Sequence, residues 1–146
     1  MTTIRMTIMQ ALVARIDAIT GWSAALRGTS NNIDAAVFGI VYPVSEDKQL
    51  ANSAEYDATL RVEVAIIVRT EDVTDQQEFN PYIMLDERVA QVEQVVHAPD
   101  SWGISPAFTD VVVTGHTVED PTEENELMAR VFITFRYRHD YQNPSQ

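Results

Sequence analysis

The chain has 146 residues, of which 45% are hydrophobic, and it contains no cysteine. That length suits one domain with a real core, and the missing thiols exclude disulfides and thiolate metal sites. The net charge of −12 comes from 22 acids against 10 bases, which argues against wrapping nucleic acid or lying on an anionic membrane, since both need clustered Lys and Arg.

The opening stretch reads as an amphipathic helix. Ile4, Ile8, Leu12, Ile16 and Ile19 recur every three or four residues, the spacing of one helical stripe. Thr2 or Thr3 can cap its start and Gly21 can follow its end, which predicts a helix from Thr3 to Thr20. A secretory leader fits less well, because Thr7 and Gln10 interrupt the apolar run and Arg15 ends it. No apolar run reaches the roughly 18 residues that span a bilayer.

Residues 27–34 read RGTSNNID, a loop by composition. AAVFGIVYP follows, a continuously apolar run ending at Pro43 and suited to a strand buried on both faces. From Val44 to Glu55 the chain is polar, which predicts a connection long enough to be functional. The segment from Tyr56 to about Thr70 alternates, with Tyr56, Ala58, Leu60, Val62, Val64, Ile66 and Val68 on one side, and predicts a second strand. A second helix follows. Asn80 and Pro81 form its cap and first turn, Leu85, Val89, Val92 and Val96 its inner face, and His97 and Pro99 its end. FTDVVVTGHTVED predicts a third strand with a bulge near Gly115. LMARVFITFRYRH predicts a fourth, with Ala129, Val131, Ile133, Phe135 and Tyr137 as its apolar face.

The predicted order is α-β-β-α-β-β. The class is α+β: a single domain with an antiparallel or mixed sheet of about four strands and two packed helices. The last two strands, joined by a short turn, should pair antiparallel.

Candidate chemistry is sparse. His97, His116 and His139 lie far apart in sequence and complete no metal-ligand pattern, and His97 suits a helix C-terminus. No G-x-S-x-G elbow or Gly-rich phosphate loop occurs. A hydrolase using Asp110 or His116 is the least supported reading. The acids Glu119, Asp120, Glu123, Glu124 and Glu126 lack the spacing of a calcium loop. They read as a solvated hairpin tip, or as acids that keep a negatively charged partner from sticking. Trp22 and Trp102 sit at or after helix ends, where a core anchor and an interface hot spot are both open readings. On the polar faces of the two long strands, Arg61, Glu63, Arg69, Arg130, Arg136 and Arg138 share space with Ile67 and Phe132. Either another helix covers that face or it is an interface, where Arg and apolar groups are enriched together.

The second strand poses a length problem. Fifteen residues at about 3.3 Å each span roughly 50 Å, against a radius of gyration near 15 Å for a domain of this size. It must bend, bulge or project, and a projecting edge needs a cover, plausibly another copy of the chain.

Taken together, the N-terminal helix, the VYP ending of a short strand, YDATLRVEVAIIVR, the helix after it, TDVVVTGHTVED and the final ARVFITFRYRHDY strand resemble the tail terminator, or tail completion, proteins of long-tailed bacteriophages. The resemblance covers about residues 1–141 and leaves a short tail, 142–146. It implies a structural virion protein without catalytic activity or cofactor, made in the bacterial host cytoplasm. Such proteins form a ring, typically a hexamer, on the head-proximal end of the tail tube. The implied partners are other copies, the tail tube protein and a head-neck connector protein. The resemblance implies no sequence-specific nucleic-acid binding and no membrane, with a lumen that can let DNA through. Head-closure and tail-tube components share part of the pattern, and a monomeric α+β ligand-binding module is the alternative of another class. Under the ring reading, Val44, Glu46, Asp47, Lys48 and Leu50 in the polar connection are candidate subunit or tube contacts. Arg61, Arg69, Phe132, Arg136 and Arg138 join them, the arginines placed to pair with a neighbour's acids. The acids Glu119, Asp120, Glu123, Glu124 and Glu126 are candidate lumen residues.

Overall fold

Thr3 caps the first helix, α1 (Ile4–Asp17), by accepting a hydrogen bond from the Met6 N–H at 3.2 Å. The computed structural model describes residues 3–28, 35–69, 80–99, 102–103, 108, 110–119 and 126–140. Ile4, Ile8, Met9, Leu12 and Ile16 form the buried stripe of α1. The helix stops at Asp17, short of the predicted Thr20, and Gly21 at φ +85° reverses the chain. That reversal feeds a strand absent from the predicted order, β1 (Trp22–Leu26), which pairs parallel with β2 (Val37–Leu50).

The polar connection predicted from Val44 to Glu55 is a strand for most of its length. β2 continues through Pro43 to Leu50, turns over 51–54 and returns as β3 (Glu55–Arg69). The candidate residues Val44, Glu46, Asp47, Lys48 and Leu50 therefore sit on a strand and not in a loop. The register shifts between Pro43 and Ser45, so a bulge absorbs the proline. Beyond Val41 no described strand flanks β2 on that side, where a missing N–H costs little. The polar side chains did not prevent strand formation, because pairing with β3 supplies the backbone bonds and solvent takes both faces.

Asn80 caps α2 (Pro81–Val96) by accepting from the Tyr82 and Ile83 N–H groups, with Pro81 in the first turn. β4 (Asp110–Val118) and β5 (Glu126–Asp140) pair antiparallel, with a register shift between Val113 and Gly115 where a bulge was predicted. The sheet has five strands in the order β1-β2-β3-β5-β4 and is mixed because of β1. The α+β class stands.

Both helices pack on one face of the sheet. Ile8, Leu12 and Ile16 of α1 and Leu85, Val89 and Val92 of α2 share one core with Leu60, Val62, Val64, Ile66, Ile133 and Phe135. A Cβ on Gly39 would stand 3.1 Å from Ile16 Cγ2, so glycine lets α1 lie close on β2. Trp22 is buried in β1, and its indole N–H donates to Gln91 Oε1 at 3.1 Å. Trp102, Phe108 and Phe135 meet edge to face with centroids 5.1–5.6 Å apart. The Arg15 guanidinium lies 4.1 Å over Trp102 and donates to the Val95 carbonyl at 2.7 Å. Both tryptophans thus anchor helices to the sheet.

Candidate functional site

Register decides how the long strands are accommodated. β3 and β5 pair along all 15 residues of each, and β2 pairs with β3 from Val37 to Leu50. The flanking strands are shorter. β1 reaches only Val41, and β4 begins opposite Arg136. One end of the sheet therefore leaves its flanks behind as a three-stranded blade, made of the far half of β2, the near half of β3 and the end of β5.

The blade has two faces. On the helix side Glu46 is the hub. Its carboxylate accepts from the Tyr137 hydroxyl and from Arg5 of α1 at 3.0 Å, with Lys48 at 3.4 Å. Burial, then Glu46, pushes the Tyr137 phenol well above its ordinary value. His139 is 2% exposed between Tyr56 and Tyr137, at ring distances of 5.5 and 5.8 Å. Its Nδ1 lies 2.7 Å from the Asp140 carbonyl. Asn52 closes the tip, its side-chain oxygen accepting from the Ala54 and Glu55 N–H groups.

No described helix covers the opposite, outer face. Arg61 pairs with Asp47, and Arg138 with Asp57 at 2.8 Å. The Asp57 carboxylate holds Arg138 above its usual range. Further along, Arg130 gathers Glu119 at 2.6 Å, Tyr42 at 2.8 Å and Glu63 at 3.3 Å. Its pKa is raised, mainly by the bond to Glu119. Glu63 lies on the outer face as predicted and is only 7% exposed there. Two concavities of about 480 and 520 Å³ run along this side. Val44, Val112 and Phe132 line one end, Asp47 and Asp57 the other, and Arg61 and Arg136 belong to both.

The fold gathers Val44, Arg61, Phe132 and Arg136 at this groove, and it sets Glu46, Lys48 and Leu50 on the other face of the blade. Arg69 lies at the opposite end of β3, in register with Glu126. Of the candidate lumen acids, Glu119 is paired with Arg130 of its own chain and Glu126 opens β5. Asp120, Glu123 and Glu124 lie outside the described residues. His97 caps α2, and its Nε2 accepts from the Val113 N–H at 3.2 Å. His116 and Asp110 are exposed on β4. The sequence reading passed over Arg5, Asp57 and Val112 as site residues, and it missed the Tyr56–His139–Tyr137 stack. Only the strand register reveals these neighbours, although the three valines from Val111 to Val113 signal an apolar edge.

Among the described residues no group of three His, Asp or Glu side chains is placed to hold a metal ion, and no helix is long and apolar enough to cross a membrane. No protein-family model and no curated protein matches the chain.

Proposed function

We propose that the chain is a structural virion protein, the tail terminator of a long-tailed bacteriophage. On this reading it closes as a ring, typically a hexamer, on the head-proximal end of the tail tube. The ring covers the surface where the next tube subunits would add and offers the head-neck connector a place to join. The protein works by shape and takes no cofactor. The observation that carries this reading is the three-stranded blade with an outer face of mixed arginine and apolar character that no described helix covers, the composition of an interface. The acids around Glu119 and Glu126 then face the lumen, where they keep passing DNA from adhering.

Native mass spectrometry over a concentration series, with negative-stain microscopy, tests assembly. A closed ring is the expected species. A second reading, a monomeric ligand-binding module, is favoured only by the outer-face concavities. A monomer at every concentration, together with a small molecule that raises the melting temperature, would support that reading instead.

A further inference from the structure

Among the described residues the sheet ends in two edges without a partner strand. Among the described residues, no strand pairs with the outer edge of β4, nor with β2 beyond Val41. The free stretches match in length. β4 has nine residues, and the 14 of β2 less the five paired with β1 leave nine, Tyr42–Leu50. Exposed apolar side chains mark both edges, with Val44 58%, Leu50 62% and Val112 42% exposed. β4 from Val111 to Val118 is a β-branched, uncharged edge, which invites another strand unless something covers it, whereas Pro43, Glu46, Asp47 and Lys48 on the β2 edge restrict what can add there.

We infer that β2 of one copy pairs with β4 of the next, Tyr42–Leu50 antiparallel to Asp110–Val118 and one residue off end-to-end register so that outer face meets outer face, to make one sheet across the subunit boundary. This rests on the ring reading and names the contact that closes the ring. Direction supports it. β2 and β5 run the same way, because each is antiparallel to β3, and β4 runs against β5. Copies placed side by side with their sheets in line therefore bring β2 and β4 together antiparallel, the slightly more stable of the two ladder types. The contact is heterologous, using a different edge on each copy, and such contacts give a ring where the rotation between copies closes.

Charge supports it as well. The chain carries −12 overall, yet Val111–Val118 contains no Asp, Glu, Lys or Arg. On β2, Glu46 is matched by Arg5 and Lys48, and Asp47 by Arg61. Two acidic protomers can thus meet here without opposing unpaired charges. Asp110, at the start of β4, falls toward the Lys48 end of the slot. In the free protomer His97 occupies the Val113 N–H, so the tip of α2 shields the β4 edge until an incoming strand replaces that bond.

The absence of cysteine allows a clean trap. Gln49 lies on the outer face opposite Asp57, Asp110 opposite Arg136 and Val112 opposite Thr134, and Gln49, Asp110 and Val112 are exposed. Two double variants, Gln49→Cys with Asp110→Cys and Gln49→Cys with Val112→Cys, cover the two registers nearest full overlap that keep outer face on outer face. Within one chain β2 and β4 are three strand spacings apart, about 14 Å, beyond the roughly 7 Å limit for a disulfide. Oxidised full-length protein of one double variant should run as a covalent ladder on non-reducing gels, with more than half of the chain above dimer. Each single variant should stop at dimer. A control pair, Gln49→Cys with Asp86→Cys on the exposed side of α2, should not form the ladder. Circular dichroism checks that every variant is folded. If neither folded double variant passes dimer, or if the control ladders equally, the edge pairing is overturned. Native mass spectrometry of the unmodified protein keeps the two ideas separate, because a closed ring without the ladder overturns the pairing and leaves the ring standing.

Discussion

Removing Arg130 tests the electrostatic reading of the outer face. Glu63 is 7% exposed, and among the described residues its carboxylate has one cationic partner, Arg130 at 3.3 Å. Breaking a fully buried pair costs about 3–5 kcal/mol, because the remaining charge stays uncompensated. Here the Arg130 side chain is 34% exposed, so solvent reaches the pair, and we expect about 2–3 kcal/mol for Arg130→Ala. With an m-value of about 2 kcal/mol per molar urea, the unfolding midpoint should fall by about 1–1.5 M. Adding Glu63→Gln should recover about 1 kcal/mol, since it removes the stranded charge while keeping the shape. The exposed partner is the internal control: Glu119→Ala should cost under about 1 kcal/mol. Urea titrations followed by circular dichroism give all four values at once. A loss below about 0.5 kcal/mol for Arg130→Ala, or no relief from Glu63→Gln, would refute the argument.

Phe135→Ala should cost about 3–5 kcal/mol, because Phe135 is fully buried and packs edge to face on Trp102 and Phe108; a midpoint within about 0.5 M urea of the parent would show that the trio is not a packing centre. Tyr137 predicts a pH dependence. Its folded pKa is raised above the unfolded value of 10.0, so its contribution is intact below about pH 10 and is lost as pH rises through the folded value. Stability should therefore fall more steeply above pH 10 in the parent than in Tyr137→Phe, and equal slopes would remove the assigned cause. Salt should favour assembly between low and physiological ionic strength, because copies carrying −12 each repel until screened; sedimentation showing weaker assembly over that range would contradict a repulsion-limited ring.

Periodicity made most of the fold legible. The stripes on both helices, the Asn80–Pro81 start of α2, the Gly115 bulge and the inner faces of β3 and β5 all appear where apolar spacing placed them. Two elements were hidden for different reasons. β1 is short and rich in Ser and Ala, weak strand formers whose place is set by docking beside β2 and under α1. The far half of β2 is polar on both faces, so its alternation buries nothing and no hydrophobic signal marks it as a strand. The site was half legible for the same reason. Arginines and Phe132 on alternate positions announced an unusual face, whereas Glu46 meeting Tyr137 and Arg5, or His139 meeting Tyr56, depends on pairings that join residues far apart in the chain. Glu63 shows the same limit from the other side. Its position in the alternation placed it on the outer face, but only the cross-strand Arg130 explains why it is buried there.

If the chain is a tail terminator, the most direct test of that central claim is tail length in the phage that would carry its gene. Deleting the gene and measuring tails in the lysate by negative-stain electron microscopy should give unjoined heads and headless tubes longer than normal, both corrected by supplying the gene in trans. Unjoined tubes of normal length would move the protein to another neck component. Normal virions from the deletion would contradict the account altogether.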